Sequence, residues 1–257
     1  MSDHPSFRLD GRRALVTGAA RGIGRAIALS LADAGADVAL GLRVVSDAAD
    51  LAERIEAMGR RTLRVQMDLL QLDQVRAAMD EVTGVFGGID VLVNNAGIGP
   101  PEKAAEDWEE ADFDATFGLN VKGLMFASQA AARVMIRQRS GTIINLSSQA
   151  GFIALPGEAI YCASKAAVSH LTKCHAVEWG RHGITVNAVA PTFIRTPGTE
   201  PALSDPDFKA DVIERIAGVH RIGEPLDVAG AVVYLASPAA SLVTGTTLMV
   251  DGGWTAR

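Results

Sequence analysis

The sequence predicts an α/β protein, a doubly wound parallel sheet of about seven strands with helices on both faces. Three observations predict it. Short apolar, β-branched runs alternate with longer amphipathic stretches at intervals of roughly 25 residues, a spacing that implies helical crossovers between parallel strands. A glycine-rich turn follows directly on the first apolar run. No internal repeat, linker or low-complexity tract interrupts the alternation over 257 residues.

The first strand is Arg13-Ala-Leu-Val-Thr17, and it feeds Gly18-Ala-Ala-Arg-Gly22-Ile-Gly24. A strand running through such a turn into a helix lets backbone N–H groups and the helix N-terminus approach a pyrophosphate. Ile23, Ile27 and Leu31 share one face of that helix, which Asp33-Ala-Gly35 stops. Asp37 to Arg43 is the second strand, with Asp37 a solvated turn residue at its start, and Ser46 is expected to cap a helix running to Met58-Gly59. Leu63 to Asp68 is a third strand, Leu72 to Phe86 a helix, and Ile89 to Asn94 a fourth strand leading into Asn95-Ala-Gly97. Phe113 to Arg139 reads as one or two helices, and Gly141-Thr-Ile-Ile-Asn-Leu146 as a buried fifth strand. A helix from Tyr161 to His182, stopped by Gly183, precedes strands at Ile184–Ala190 and Thr247–Asp251. Between Thr196 and Gly223 the pattern loosens around Pro197, Gly198, Pro201 and Pro206, as expected of a mobile lid.

The fifth strand ends at Ser147-Ser148, and Tyr161 and Lys165, four residues apart, share one helix face. A hydroxyl, a phenol and an ammonium thus meet at one mouth. A phenol ordinarily titrates near ~10, and a nearby cation favours its ionised form. Tyr161 is therefore expected to exchange a proton near neutral pH while Ser148, or its rival Ser147, holds a substrate oxygen. That is the proton half of an alcohol/carbonyl interconversion, whose other half needs a hydride partner.

The remaining composition narrows the classes. A net charge of -6, from 24 Lys+Arg against 30 Asp+Glu, with no basic run longer than a pair, argues against nucleic acid as a partner. No stretch approaches the ~18 apolar residues of a membrane span, and the first residues lack the apolar core of a signal peptide, so a cytoplasmic protein is expected. Cys162 and Cys174 suit neither a zinc pair nor a redox motif and are expected to fill core space; no cluster has metal-ligand spacing. His170 and His175 are expected to be structural or surface residues.

With Thr17-Gly-Ala-Ala-Arg-Gly-Ile-Gly24, Asn94-Asn-Ala-Gly97, Asn120, Ser148 and Tyr161-x-x-x-Lys165 in one order, the chain resembles the short-chain dehydrogenase/reductases over almost its whole length. Within them it is similar both to bacterial sugar and polyol dehydrogenases and to 3-oxoacyl-(acyl-carrier-protein) reductases. The resemblance implies one NAD(P)-binding Rossmann-type domain across residues 1–257, with the lid at about 196–223. It implies Asn120, Ser148, Tyr161 and Lys165 as the catalytic set: Tyr161 exchanging the proton, Ser148 polarising the substrate oxygen, Lys165 gripping the nicotinamide ribose, and Asn120 holding a relay water through its backbone. For the cofactor it implies Gly18, Gly22, Ile23 and Gly24 at the pyrophosphate, Asp68 and Leu69 at the adenine, Asn95, Ala96 and Gly97 along its length, and Pro191, Ile194 and Thr196 near the carboxamide. A homotetramer, packed through the long helices and the Trp254 end, is implied as well.

NAD-selective relatives carry an acid at the end of the second strand, where this chain has Leu42 followed by Arg43. Arg43 and Arg21 could both reach a 2′-phosphate, so NADP(H) is expected, with NAD(H) the alternative. The usual Pro-Gly after the sixth strand is Pro191-Thr192 here; Thr192 narrows the pocket, adds a hydrogen bond, or is simply tolerated. Substrate contacts are expected from Ser148, Gln149, Glu158, Tyr161 and Thr192, with Leu155, Phe193 and His220 nearby. Unless it points to solvent, a carboxylate at Glu158 accepts hydrogen bonds from a sugar or polyol and repels an anion. A small polyhydroxylated substrate is expected; the alternatives are a 3-oxoacyl thioester or ketone and, remotely, a silent nucleotide-binding regulator.

Overall fold

The computed structural model describes residues 4–256. Its strands are β1 (Arg13–Thr17), β2 (Asp37–Leu42), β3 (Thr62–Gln66), β4 (Val91–Asn94), β5 (Gly141–Leu146), β6 (Ile184–Pro191) and β7 (Thr247–Val250). They form one parallel sheet in the order β3-β2-β1-β4-β5-β6-β7. Parallel neighbours require crossovers, and α1 (Gly22–Asp33), α2 (Ala49–Ala57), α3 (Leu72–Phe86), α4 (Glu110–Phe117), α5 (Leu124–Gln138) and α6 (Ala159–Trp179) provide them. Three further helices, α7 (Glu200–Leu203), α8 (Pro206–Arg215) and α9 (Pro225–Ala236), lie between β6 and β7.

Alternating strand side chains feed a core on each face of the sheet. Ala14 and Val16 of β1 join Leu31 of α1 and Val232 of α9 on one face, whereas Leu15 joins Val82 of α3 and Met135 of α5 on the other. A third cluster of Leu203, Val212, Ile216, Ile222 and Trp254, with Phe193 and Phe208 against it, anchors the α7–α8 segment. Trp254 is buried within its own chain, stacked 5.7 Å from Phe193.

Several local expectations need correction. Ser46 caps no helix: it lies inside a tight turn at Val45–Ala48, and α2 begins only at Ala49 without a capping side chain. Asp37 is not a solvated turn residue, since it accepts from the Arg61 backbone at 2.9 Å and from its guanidinium at 2.7 Å. The Phe113–Arg139 stretch, expected as one or two helices, is two as allowed: α4 and α5 meet at a π-helical turn at Gly118–Gly123, where Gly123 presses so close to Leu69 that a Cβ would lie 2.8 Å away. Cys174 is exposed and Cys162 half-buried, so neither is a core filler.

The ends of β1 and β4 away from the strand C-termini are locked by Asp90. Its carboxylate accepts from the Arg13 backbone at 2.9 Å and from the guanidinium at 2.6 and 2.8 Å. Burial works to raise the Asp90 pKa, but the Arg13 hydrogen bonds outweigh it and hold the carboxyl below its ordinary value. A carboxyl depressed in the folded state contributes stability above its unfolded pKa and loses that contribution as pH falls through the folded one. Asp90→Asn should therefore cost about 2 kcal/mol at pH 7, with the gap to the parent closing below roughly pH 4, as read by urea unfolding across pH.

Candidate active site

Between β1 and β4 the sheet order reverses direction, and the turns leaving these strands diverge to open a crevice at their C-terminal ends. The floor is tightly tied. Asn95 Nδ2 donates to the carbonyls of Thr17 at 2.9 Å and Gly18 at 3.1 Å, while Thr17 Oγ1 accepts from the N–H groups of Asn95 and Ala96 at 3.0 and 3.1 Å. A Cβ on Gly24 would meet Asn95 Nδ2 and the Gly18 carbonyl at 2.4 Å each, so only glycine allows the first turn of α1 this close.

The N-terminus of α1 is open. Arg21, at the N-cap, supplies no capping hydrogen bond, and no acid lies in the first turn, so its N–H groups and dipole stand free for an anion. These features fit the pyrophosphate of a dinucleotide. Among the described residues no carboxylate pairs with Arg21 or Arg43, although neighbouring Arg25 is tied to Asp50. Leu42, where an acid would take ribose hydroxyls, is 1% exposed and apolar. Residues that would grip a 2′-phosphate are therefore available, and those that would prefer two ribose hydroxyls are not.

Beyond this floor lies a cleft of about 690 Å³. Ser147 and Ser148 reach its edge together but differ in commitment. Ser147 Oγ is bound to the Lys165 carbonyl at 3.0 Å and Ser169 Oγ at 2.7 Å, deep between β5 and α6. Ser148 Oγ accepts from the Ala150 N–H, at 3.1 Å, and borders the cleft beside Tyr161, whose phenol it can hydrogen-bond. Asn120, 1% exposed in the π-helical turn, holds the loop after β4 by accepting from Ile98 N at 2.9 Å and donating to Ile98 O at 2.8 Å; its amide also reaches Ser164 Oγ at 3.1 Å.

Lys165 is 6% exposed, and its Nζ donates to the Leu146 carbonyl at 2.8 Å. Burial alone pulls its pKa down to about 8. The Tyr161 phenol is pushed up to about 12, first by burial and then by the Glu158 charge, with Ser148 opposing them. The expected lowering of this phenol by Lys165 is thus not met here. The ammonium lies over the ring, 5.6 Å from its centroid, and is directed to a backbone carbonyl. At neutral pH this geometry holds Tyr161 as a proton donor.

Of the residues singled out in the sequence, Arg21, Ile23, Asn95, Gly97, Ser148, Gln149, Glu158, Tyr161, Lys165, Pro191, Thr192, Ile194 and Thr196 line the cleft, as do Leu155 and Phe193. Gly18, Gly22, Gly24 and Ala96 form the turns behind it, and Asn120 lies behind Ile98. Arg43, Asp68 and Leu69 follow the C-terminal ends of β2 and β3, outside the cleft itself, and His220 does not border it. Sequence reasoning missed Glu102, Thr199 and Phe208, all of which line it. Glu102 follows Pro100-Pro101 in an irregular loop with no periodicity to place it.

The comparisons agree with this geometry. A family model described as enoyl-(acyl carrier protein) reductase matches residues 18–255. The 2-dehydro-3-deoxy-D-gluconate 5-dehydrogenase of Escherichia coli is 42% identical over 98% of both chains. This chain belongs to the short-chain dehydrogenase/reductase family. The 3-oxoacyl-(acyl-carrier-protein) reductase of Staphylococcus epidermidis is 44% identical over 94% of this chain and 98% of its own. Among solved structures, a gluconate 5-dehydrogenase from Burkholderia cenocepacia, in complex with NADP and tartrate, superposes with a TM-score of 0.94 at 40% identity over 98% of each chain. The chain is accordingly an NAD(P)-dependent oxidoreductase acting on a CH–OH group or its carbonyl counterpart.

The different ties of the two serines predict different losses in this short-chain dehydrogenase/reductase. Ser147→Ala should lower stability by ~1–2 kcal/mol because it strands buried partners, and Ser148→Ala by under ~1 kcal/mol. Turnover should fall about 100-fold in Ser148→Ala. Denaturant melts and steady-state rates check this, and the larger turnover loss in Ser147→Ala would reverse the assignment.

Proposed function

We propose that this enzyme interconverts a secondary alcohol and a carbonyl on a small polyhydroxylated compound, with Tyr161 giving or taking the hydroxyl proton. The observation that carries the reading is the convergence of Tyr161, Lys165 and Ser148 on one cleft, with Ser148 beside the phenol while Ser147 is bound into the interior. Ser148 holds the substrate oxygen beside the phenol. Tyr161, protonated at neutral pH, donates to the developing alkoxide in reduction and accepts in oxidation. Lys165, buried at the same mouth, would grip the nicotinamide ribose, and Asn120, whose side chain is held by Ile98 and Ser164, would serve the relay through its backbone. When bound, the nicotinamide would supply or accept the hydride.

Gly18, Gly22, Ile23 and Gly24 would hold the pyrophosphate, Asp68 and Leu69 would meet the adenine, Asn95, Ala96 and Gly97 would lie along the cofactor, and Pro191, Ile194 and Thr196 would lie near the carboxamide. Arg43 and Arg21, with Leu42 between no competing acids, support NADP(H) over NAD(H), and the NADP in the Burkholderia structure is consistent with it. Residues 196–223 act as a lid within one working unit: Thr196 and Thr199 line the cleft from the loop before α7, and Ala202 and Phe208 from α7 and α8. A polyhydroxylated substrate is supported by the sugar-acid dehydrogenases among the relatives and by the polar groups of the cleft. A 3-oxoacyl thioester is the second reading, favoured by the apolar wall of Leu155, Phe193 and Phe208.

Among the described residues no helix is long and apolar enough to cross a membrane, and a cytoplasmic setting is proposed with it. Exposed Phe113, Met125 and Val177 on α4, α5 and α6 support a homotetramer packed through these helices. Light scattering should give four times the 26.9 kDa chain mass; a monomer at micromolar concentration would remove that part of the reading.

Tyr161→Phe should lower kcat by at least ~1000-fold while NADPH fluorescence titration still shows binding. Arg43→Ala should weaken NADPH by about tenfold and leave NADH nearly unchanged. Equal losses for both nucleotides would remove the NADP preference.

A further inference from the structure

The substrate side of the cleft has an unusual polar composition. The charged side chains bordering the whole cleft are Arg21, Glu102, Glu158 and Lys165. Arg21 stands at the N-terminus of α1, on the cofactor side, and Lys165 is directed to the Leu146 carbonyl. Among the described residues, the substrate side therefore has two carboxylates and no opposing guanidinium, imidazole or free ammonium.

Glu102 and Glu158 are held together by backbone. The Lys103 N–H donates to the Gly157 carbonyl at 3.1 Å, pinning the loop after β4 against the loop that enters α6. A Cβ added at Gly157 would lie 3.1 Å from Glu102 Cβ, so the two acids flank a single point of contact. The adjacent cation does not neutralise them, because Lys103 Nζ is bound to Asp112 at 2.5 Å. Glu158 occupies the N-cap of α6 yet makes no side-chain capping bond, and no described residue donates to its carboxylate. Burial, with the Glu102 charge added, raises its pKa.

A second, independent observation points to a ligand. Gln149 is only 2% exposed, and its Oε1 has no hydrogen-bond partner, although the residue borders the cleft. Thr192 Oγ1, at the position where a side chain departs from the family pattern, is likewise buried and unpartnered at the cleft wall. A buried polar atom left without a partner is costly, and each of these two side chains borders the space a substrate would fill. Gln149, Thr192, Glu158 and Glu102 can all accept hydrogen bonds, and what satisfies an array of acceptors is a molecule rich in hydroxyl donors. A carboxylate entering the same space would lose its hydration and meet like charge without a cation to offset either.

Resting on the proposed alcohol/carbonyl reaction, we infer that Gln149, Thr192, Glu158 and Glu102 form a selectivity wall. It accepts neutral polyols and their ketoses and excludes sugar acids. This separates the chain from relatives named for gluconate and 2-dehydro-3-deoxy-gluconate, whose substrates carry a carboxylate.

The test uses matched pairs that differ only in one terminus, glucitol against gluconate and xylitol against xylonate, oxidised with NADP by the full-length enzyme. The alcohol of each pair should have at least a tenfold higher kcat/KM. Glu158→Gln should narrow that ratio at least fivefold, chiefly through a lower KM for the acid, and Glu102→Gln should narrow it less. Raising the salt concentration should also narrow the ratio in the parent enzyme, because screening weakens like-charge exclusion. Sugar acids used as well as polyols by the parent, or a ratio unmoved in both variants, would overturn the selectivity wall while the reaction stands. No hydride transfer to any pair or to simple ketones, in protein that binds NADPH, would instead overturn the reaction on which the wall rests.

Discussion

The rest of the molecule depends on the seam between the turns that follow β1 and β4. Parallel strands require crossovers, and crossovers that leave β1 and β4 in opposite directions necessarily open a gap where their turns part. Asn95 closes the bottom of that gap by donating to Thr17 and Gly18, and Thr17 returns the tie by accepting from Asn95 and Ala96. Because four hydrogen bonds fix the two turns, α1 can start within van der Waals distance of the loop after β4. The open N-terminus of α1, the serines that follow β5 and the candidate side chains of α6 are then presented to one crevice.

Behind the crevice, the helix bearing Tyr161 is registered against the sheet by buried polar contacts, which are directional where apolar packing is not. Asn145 in β5 accepts from Asn94 in β4 at 2.8 Å and donates to Thr172 in α6 at 2.9 Å. Ser147 repeats the connection one turn nearer the cleft through Ser169 and the Lys165 carbonyl. Sliding α6 along β5 by one residue would break these bonds in a water-free interior. Lys165 is thereby held where its ammonium donates to the Leu146 carbonyl, and Tyr161 follows one helical turn earlier.

The fold was legible because parallel strands buried on both faces leave short, dense apolar runs, and each glycine turn sits at a strand end. The catalytic candidates were legible because each belongs to a local motif whose spacing survives in one sequence. What escaped depends on contacts between segments distant in sequence. Glu102 enters the cleft only because Lys103 bonds to Gly157, 54 residues later. Ser46 looked like a cap, but the chain tightens at Val45–Ala48 before α2 begins. The divergent roles of Ser147 and Ser148 are set by Ser169 and by the alternation of strand side chains. The relation of Lys165 to Tyr161 was misread because sharing a helix face does not aim an ammonium at a phenol oxygen.

One cause, removal from water, acts on three groups of the cleft in a concerted sense. It lowers Lys165 to about 8, raises Tyr161 to about 12 and raises Glu158. In each case the uncharged form gains, as expected where the dielectric is low and few counter-charges are present. The cofactor side of the crevice differs, for there the α1 N–H groups and two unpaired arginines offer positive potential toward solvent. The crevice is therefore electrostatically divided: an anion is favoured at the α1 end and disfavoured beside Tyr161. On the proposed reading, that division would orient a nucleotide with its phosphates away from the phenol. It would also leave the end beside Tyr161 to a neutral molecule, recognised by hydrogen bonding rather than by charge.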